Sequence, residues 1–162
     1  MKALIALGSN LGDRAGYLAR GLENLSTLGT LTASPLILET LDESGQGPAY
    51  LNTMAYLVTA ESNPCRLLEK LLRFEKQLGR DRSLGKNQPR TLDLDLIATD
   101  QGELHHTWSS PEDLLSLGPT ITLDLPHPKA AKRAFVIEPL AALVQSYPDA
   151  GRIKILASDS AQ

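Results

Sequence analysis

Residues 89–96 read Pro-Arg-Thr-Leu-Asp-Leu-Asp-Leu, so that leucine alternates with aspartate over the last five positions. Alternation with a period of two predicts a β-strand, because successive side chains of a strand point to opposite faces. The three leucines then share one face, which can pack on helices, and Asp93 and Asp95 share the other. The stretch therefore predicts a sheet with one apolar, helix-covered face and one face that carries paired carboxylates.

The paired acids Asp93 and Asp95 need a partner of opposite charge. Two carboxylates this close repel each other, and burying either of them unpaired is costly. A hard cation relieves the repulsion, and Mg²⁺ is commonly held by one or two carboxylates together with substrate phosphates. An amphipathic strand with a wet acidic face would give the same pattern, and the motif alone leaves both interpretations open.

A basic segment leads directly into this strand. From residue 73 to residue 90 the chain has six basic and two acidic residues, although the whole chain has a net charge of −3. Arginines beside a carboxylate pair suit a metal-bound polyphosphate, because guanidinium groups bind phosphate oxygens while the acids hold the metal. A solvated loop with surface ion pairs is the alternative. The basic residues are Arg73, Lys76, Arg80, Arg82, Lys86 and Arg90.

The composition suits one domain spanning 1–162, because 162 residues with 42% hydrophobic and 22% charged content can bury a single core. Few aromatic residues and a negative net charge argue against binding to nucleic acid or to an anionic membrane. Cys65 is the only cysteine, which excludes an internal disulfide and suits a reducing compartment. With no secretory signal and no apolar run long enough to cross a bilayer, we expect a cytoplasmic protein.

The hydrophobic pattern predicts the order strand, helix, strand, strand, helix, strand, which is typical of a ferredoxin-like α+β sheet. Asn63 and Pro64 predict the start of the second helix, and Gly79 its end. Pro35 predicts an edge position or a bulge in the second strand. The strands are predicted at 3–7, 31–40, 50–60 and 92–98, and the helices at 14–28 and 64–78.

The C-terminal third of the chain adds further elements to this unit. A short helix at 110–117 and a short strand at 121–125 are predicted first. A helix at 134–145 follows, which Pro139 should kink or split. A short strand at 152–156 is expected to complete the sheet.

Several polar residues outside the acidic strand are further candidates. Glu75 lies on the apolar stripe of the second helix, where it either pairs with a neighbouring arginine or helps to orient a ligand. His127 stands between two prolines, which suits a fixed phosphate contact, although a structural loop histidine would look the same. His105 and His106 lack further ligands at metal spacing and are interpreted as surface residues. The glycine turn at 8–13 lacks the lysine of a phosphate-binding loop and is a weak motif.

Seven separate blocks of sequence combine these features with others in one order. They are Ala-Leu-Gly-Ser-Asn-Leu-Gly at 6–12, Glu39-Thr40, Tyr50-Leu51-Asn52, Leu78-Gly79-Arg80-Asp81-Arg82, residues 89–95, Leu125-Pro126-His127-Pro128 and Arg133-Ala134-Phe135. Together they resemble the 6-hydroxymethyl-7,8-dihydropterin pyrophosphokinase family of folate biosynthesis, and the resemblance covers most of the chain.

The resemblance implies a ferredoxin-like fold with a groove for ATP and the pterin. It implies that pyrophosphate passes from ATP to the pterin hydroxymethyl group, by in-line attack on the β-phosphorus, with release of AMP. Two Mg²⁺ ions are expected at Asp93 and Asp95. The implied catalytic residues are Arg80, Arg82, Arg90 and Asp95; the implied ATP contacts are Glu75, Arg82, Arg90, His127 and Arg133; the implied pterin contacts are Thr40, Leu41, Tyr50, Asn52 and Phe135.

ATP and the hydroxymethyl pterin are thus the expected partners of a monomer that binds neither nucleic acid nor membranes. A non-catalytic nucleotide-binding or regulatory module on the same sheet is the alternative, and it predicts binding without turnover. An RNA-binding sheet would need exposed aromatic residues, which 92–98 lacks. Two features depart from the family: Asn87 stands where some members carry Trp, and the segment between Asp95 and Pro126 is longer than expected.

Overall fold

The structure is a computed structural model that describes residues 1–41, 44–79 and 91–157. Its main sheet is antiparallel. The strands of that sheet are β1 (Lys2–Ser9), β2 (Gly29–Ala33), β3 (Leu38–Thr40), β4 (Tyr50–Thr59) and β5 (Asp93–Thr99). The spatial order is β2-β4-β1-β5, and β3 pairs with the first residues of β4. This order, with one helix after the first strand and one after β4, is the ferredoxin-like arrangement predicted from the sequence.

In the described part of the chain, three α-helices cover the sheet: α1 (Arg14–Ser26), α2 (Pro64–Gln77) and α3 (Ala134–Ser146). The side chain of Asn63 caps α2 by accepting a hydrogen bond of 2.9 Å from the backbone N–H of Cys65, as predicted. A separate two-stranded sheet consists of β6 (Leu104–Ser109) and β7 (Thr120–Leu125). Short 3₁₀ helices span Glu112–Leu117, Ala130–Lys132 and Pro148–Arg152.

The two faces of the main sheet bury different clusters. Ile5 and Leu7 of β1 belong to a core that contains residues of α1 and α2, together with all three leucines of the acidic strand. Leu4 of β1 belongs to a second core, which contains Met54 of β4 and Val136 of α3. The alternation along each strand therefore separates a face covered by two helices from a face covered by one.

The single strand predicted at 31–40 is wrong. Two short strands, β2 and β3, pair with β4 on either side of Pro35, which has no N–H to donate to a strand partner. At the break, Ser34 Oγ donates to Pro139 O of α3 at 2.7 Å. The side chain of Thr53 donates to Leu36 O at 2.9 Å. The break therefore ties this edge of the sheet to α3.

The C-terminal strand predicted at 152–156 is also wrong. Within the part of the chain that the structure describes, the 3₁₀ helix Pro148–Arg152 leads into irregular backbone. Ala150 and Ile153 are buried in the core under α3, so this segment packs on the sheet instead of extending it. Helix α3 is not split at Pro139. Helix α1 ends at Ser26, two residues before the predicted boundary. Beyond its end, the N–H of Leu28 donates to the carbonyl oxygen of Leu25.

Candidate active site

A cavity of about 380 Å³ opens on the sheet face that α3 covers only in part. Strands β1, β3, β4 and β5 contribute to its walls, together with the start of α3 and the loop after β7. The lining residues are Ala6, Leu7, Gly8, Thr40, Leu41, Ser44, Tyr50, Asn52, Asp93, Asp95, His127, Lys129, Arg133 and Phe135.

Asp93 and Asp95 both line the cavity, as the alternation of their strand predicts. In the β1–β5 register, Asp93 lies opposite Gly8 and Asp95 opposite Ala6. Both carboxylates are half-buried, whereas Leu94 between them is only 2% exposed and packs under the helices. The small side chains of β1 therefore leave open space beside the two acids.

Gly8 forms the floor between the acids and the opposite wall. It pairs with Asp93 on one side and with Asn52 on the other. A Cβ atom at this position would stand 3.4 Å from Asn52 Oδ1 and 3.4 Å from a ring carbon of Tyr50. In the sequence this glycine belongs to a weak phosphate-loop motif and to one of the family blocks, and its role as open floor follows from the pairing of three strands.

Asn52 is held in place by the short strand β3. Its Nδ2 donates to Leu38 O at 3.2 Å and to Thr40 Oγ1 at 2.9 Å. Both amide hydrogens are thus engaged, and the Oδ1 acceptor remains on the side of Gly8. The wall formed by Tyr50, Asn52 and Thr40 offers an aromatic ring and a fixed amide oxygen, which suits a flat ligand with polar edges.

Phe135 and Arg133 approach the cavity from the start of α3. The Arg133 guanidinium carbon lies 5.4 Å from the Phe135 ring centroid, within cation–π distance. The site thus has an aromatic ring on each of two separate elements, Tyr50 on β4 and Phe135 on α3. Leu41 also lines the cavity. Every residue that the sequence assigned to the pterin is therefore brought to one cavity.

His127 is fixed by backbone contacts at the outer edge of β5. Its N–H donates to Ile97 O at 2.7 Å, and its ring Nδ1 accepts from the Lys129 N–H at 3.2 Å. Burial lowers the pKa of His127, and the nearby charges of Arg133 and Lys129 lower it further. A neutral imidazole with Nδ1 as acceptor carries its proton on Nε2, which is then a hydrogen-bond donor.

Lys129 is a cavity residue that sequence reasoning missed. Its position two residues after His127, in a stretch that also carries Lys132 and Arg133, was the available signal. Lys129 and Arg133 contribute cationic side chains to the cavity beside His127, and Asp93 and Asp95 contribute acidic ones. The cavity is therefore lined by side chains of both charges.

Glu75 does not belong to the cavity lining that the structure describes. It is 2% exposed, and its Oε2 accepts a hydrogen bond of 2.7 Å from the backbone N–H of Leu94. Its predicted contact with ATP stays a prediction. The predicted arginines Arg80, Arg82 and Arg90, and the departure at Asn87, lie outside the described residues.

Asp93 and Asp95 are the acidic residues of the cavity that could hold the expected Mg²⁺. Among residues 1–41, 44–79 and 91–157, no group of three or more His, Cys, Asp or Glu side chains could hold a metal ion. Two carboxylates with open space beside them do fit Mg²⁺ that takes its other ligands from water and from substrate phosphates. The residues present therefore fit a metal that arrives with a polyphosphate.

The histidine pair of the longer segment is on the surface, as predicted. His105 on β6 is exposed and contacts the Asp124 carboxylate of β7. His106 lies on the other face of β6 and stacks on Trp108, with ring centroids 5.7 Å apart. This segment, which the sequence led us to expect to be longer than in the family, forms the β6–β7 sheet and a 3₁₀ helix.

Fold and cavity together define an α+β protein with a site of small-molecule size, in which paired carboxylates share one cavity with basic and aromatic groups. The sequence model of one family, described as 7,8-dihydro-6-hydroxymethylpterin-pyrophosphokinase (HPPK), matches residues 4–145. The chain belongs to this family, and it is a pyrophosphokinase of folate biosynthesis.

Relatives with the same name support this assignment. The 2-amino-4-hydroxy-6-hydroxymethyldihydropteridine pyrophosphokinase of Bacillus subtilis is 33% identical over 145 residues, which cover 88% of this chain and 78% of the relative. The enzyme of that name from Methylorubrum extorquens is 31% identical and is covered to 82%.

Solved structures show the same fold. A crystal structure of an HPPK-DHPS protein in complex with substrates superposes with a TM-score of 0.65 at 14% identity, covering 98% of this chain and 41% of that one. The Plasmodium falciparum HPPK-DHPS gives a TM-score of 0.61 at 12% identity, with the same coverage.

None of the helices within the described residues is both long and apolar enough to cross a membrane.

Proposed function

We propose that the cavity binds the 6-hydroxymethyl-7,8-dihydropterin ring between Tyr50 and Phe135, with Asn52 reading its polar edge. The fixed Oδ1 of Asn52 can accept from a ring N–H or amino group, and the two aromatic rings supply flat apolar contacts. Thr40 and Leu41 complete this end of the site. The opening over Gly8 would let the ring lie flat on the sheet.

Asp93 and Asp95 would hold two Mg²⁺ ions that arrive with ATP. When bound, the metal supplies charge neutralisation along the triphosphate. His127 and Arg133, which line the same cavity, would contact phosphate oxygens, and Lys129 would add a further cation. Arg82 and Arg90 are proposed as additional ATP contacts, with Arg80 assisting transfer. The observation that carries this proposal is the placement of acids, cations and aromatic rings around one cavity.

The reaction that this arrangement serves is a displacement at the β-phosphorus of ATP. The pterin hydroxymethyl oxygen bonds to that phosphorus, the bond from the β-phosphorus to the α–β bridging oxygen breaks, and AMP leaves with that oxygen. The hydroxyl proton passes to solvent. The work of the chain is to align the two substrates and to neutralise phosphate charge, because phosphoryl-type transfer needs little covalent assistance. We further propose that the enzyme acts as a cytoplasmic monomer of one domain.

The decisive experiment is an assay of nucleotide products with ATP, Mg²⁺ and the hydroxymethyl pterin. AMP and the pterin diphosphate should form in equal amounts, and omission of either the pterin or Mg²⁺ should abolish both products. ADP as the product would contradict the proposed transfer. Binding of ATP without any product would favour the non-catalytic nucleotide-binding module instead.

A further inference from the structure

Glu75 is a buried carboxylate on α2 with a partner in the strand that carries both acids. Its Oε2 accepts from the N–H of Leu94, the residue between Asp93 and Asp95, at 2.7 Å. The side chain is buried, and burying an ionised carboxylate is costly unless hydrogen bonds compensate it. A charge-assisted bond to a backbone N–H is among the stronger contacts that a protein can make.

The contact matters because β5 is the last strand of the main sheet. Among the described residues, no further strand of that sheet lies at its outer edge, and buried backbone groups there must find other partners. Glu75 takes the N–H of Leu94, and the backbone of His127 donates to Ile97 O at 2.7 Å. The strand is thus held from outside at two points, one of them between the two acids.

Helix α2 is itself firmly placed. Thr91 Oγ1 donates to Leu78 O at 2.5 Å, which joins the end of α2 to the start of β5. Arg73 makes two hydrogen bonds to the Asp113 carboxylate, at 2.6 and 3.2 Å. The longer segment that contains β6 and β7 therefore braces the helix that carries Glu75.

We propose that Glu75 is a positioning residue that sets the direction of the Asp93 and Asp95 side chains by fixing the backbone between them. The expected effect on metal binding and activity rests on the proposed function, because the placement of the two acids matters when they hold metal-bound ATP. It differs from the sequence prediction that Glu75 contacts ATP, since here it acts through Leu94. Residues that orient metal ligands typically change metal affinity or activity roughly 10- to 100-fold when they are replaced.

Two variants separate the hydrogen bond from the bulk of the side chain. Glu75→Gln keeps an oxygen that can accept from Leu94, whereas Glu75→Leu keeps a similar volume and removes the acceptor. Glu69→Leu is the matched control, because Glu69 is also a buried acid of α2 but bonds to Arg66 and Trp108, away from β5. Circular dichroism of each variant establishes that it is folded.

The first readout needs no metal and no turnover. Amide hydrogen exchange of Leu94, followed by NMR on the free protein, should accelerate at least about tenfold in Glu75→Leu. It should stay near the wild-type rate in Glu75→Gln and in Glu69→Leu. Unchanged exchange in Glu75→Leu would overturn the proposed contact.

The second readout is Mn²⁺ binding with a non-hydrolysable ATP analogue, measured by electron paramagnetic resonance. The affinity for Mn²⁺ should fall roughly 10- to 100-fold in Glu75→Leu, and in Glu75→Gln it should stay within about threefold of wild type. Equal loss in Glu75→Leu and Glu69→Leu would show a merely structural role. Loss of analogue affinity with unchanged Leu94 exchange would show a direct nucleotide contact, and either outcome overturns the inference. Wild-type protein that forms no AMP would refute the proposed reaction, while the exchange measurement would still decide the role of Glu75.

Discussion

Leu94 and Asp95 are neighbours in one strand, yet they lie in opposite environments. Leu94 belongs to a core of buried apolar side chains that lies under α1 and α2. Asp95 lines a cavity, because α3 covers only part of the other face and β1 presents Ala6 and Gly8 there. The comparison indicates that one face of the sheet provides stability and that the other face is left incomplete for a ligand.

The cavity side should give the largest effect on activity. Asp95→Asn removes a charge and should lower AMP formation by roughly 1,000-fold or more, because the acid would no longer neutralise a bound cation. The unfolding temperature should stay close to that of wild type, since Asp95 is outside the apolar cores. Steady-state assays over a range of Mg²⁺ concentrations check the first effect, and calorimetry checks the second.

Asp100→Asn is the matched control for that variant. Asp100 follows the far end of β5 and accepts a hydrogen bond of 2.9 Å from Lys2 N, which an amide oxygen can also accept. Its turnover should match wild type. Comparable activity loss in both variants would contradict a special role for the acid in the cavity.

The leucine side should give the opposite result. Leu94→Ala creates a void in a filled core and should lower the free energy of unfolding by about 2–5 kcal/mol. The backbone N–H of residue 94 and its bond to Glu75 remain in this variant, and we expect kcat within about threefold of wild type well below the unfolding temperature. Urea unfolding measures the first quantity. Ile37→Ala, at a position 55% exposed, should change stability by less than about 1 kcal/mol.

Much of the difference between the two faces of the main sheet could be predicted from the sequence, because it depends on local alternation of apolar and polar residues. The faces of Leu94 and Asp95 follow from a period of two, and the cap at Asn63 follows from its side chain and the adjacent proline. Pro35 predicted an edge position or a bulge, but the division into two strands and its tie to α3 through Ser34 could not be predicted. The packing of Ile153 could not be predicted either, since it depends on contacts with α3, far away in sequence. Lys129 and the floor at Gly8 were missed for the same reason, because only the assembled sheet brings them to the acids.

A methyl group added at the floor of the cavity should have a smaller effect on activity. Gly8→Ala would place a methyl group 3.4 Å from Asn52 Oδ1, which the fold tolerates but which occupies space for a flat ligand. The KM for the pterin should rise about tenfold, the scale of one added carbon in a binding pocket. The KM for ATP should change far less. An unchanged pterin KM would place the ring elsewhere.

The smallest effect expected is a pH dependence of stability that arises on the cavity side. Because the pKa of His127 is lowered in the folded protein, mainly by burial, the unfolded chain binds the proton first as the pH falls. The contribution of the neutral imidazole is therefore fully present above about pH 6.5, the ordinary value, and is lost as the pH falls from there towards the folded pKa. Urea unfolding between pH 5 and 8 measures the free energies of unfolding of wild type and of His127→Gln. The stability of wild type relative to the variant should decrease as the pH falls. A difference independent of pH would mean that the Arg133 and Lys129 charges and the burial of the ring do not disfavour the imidazolium.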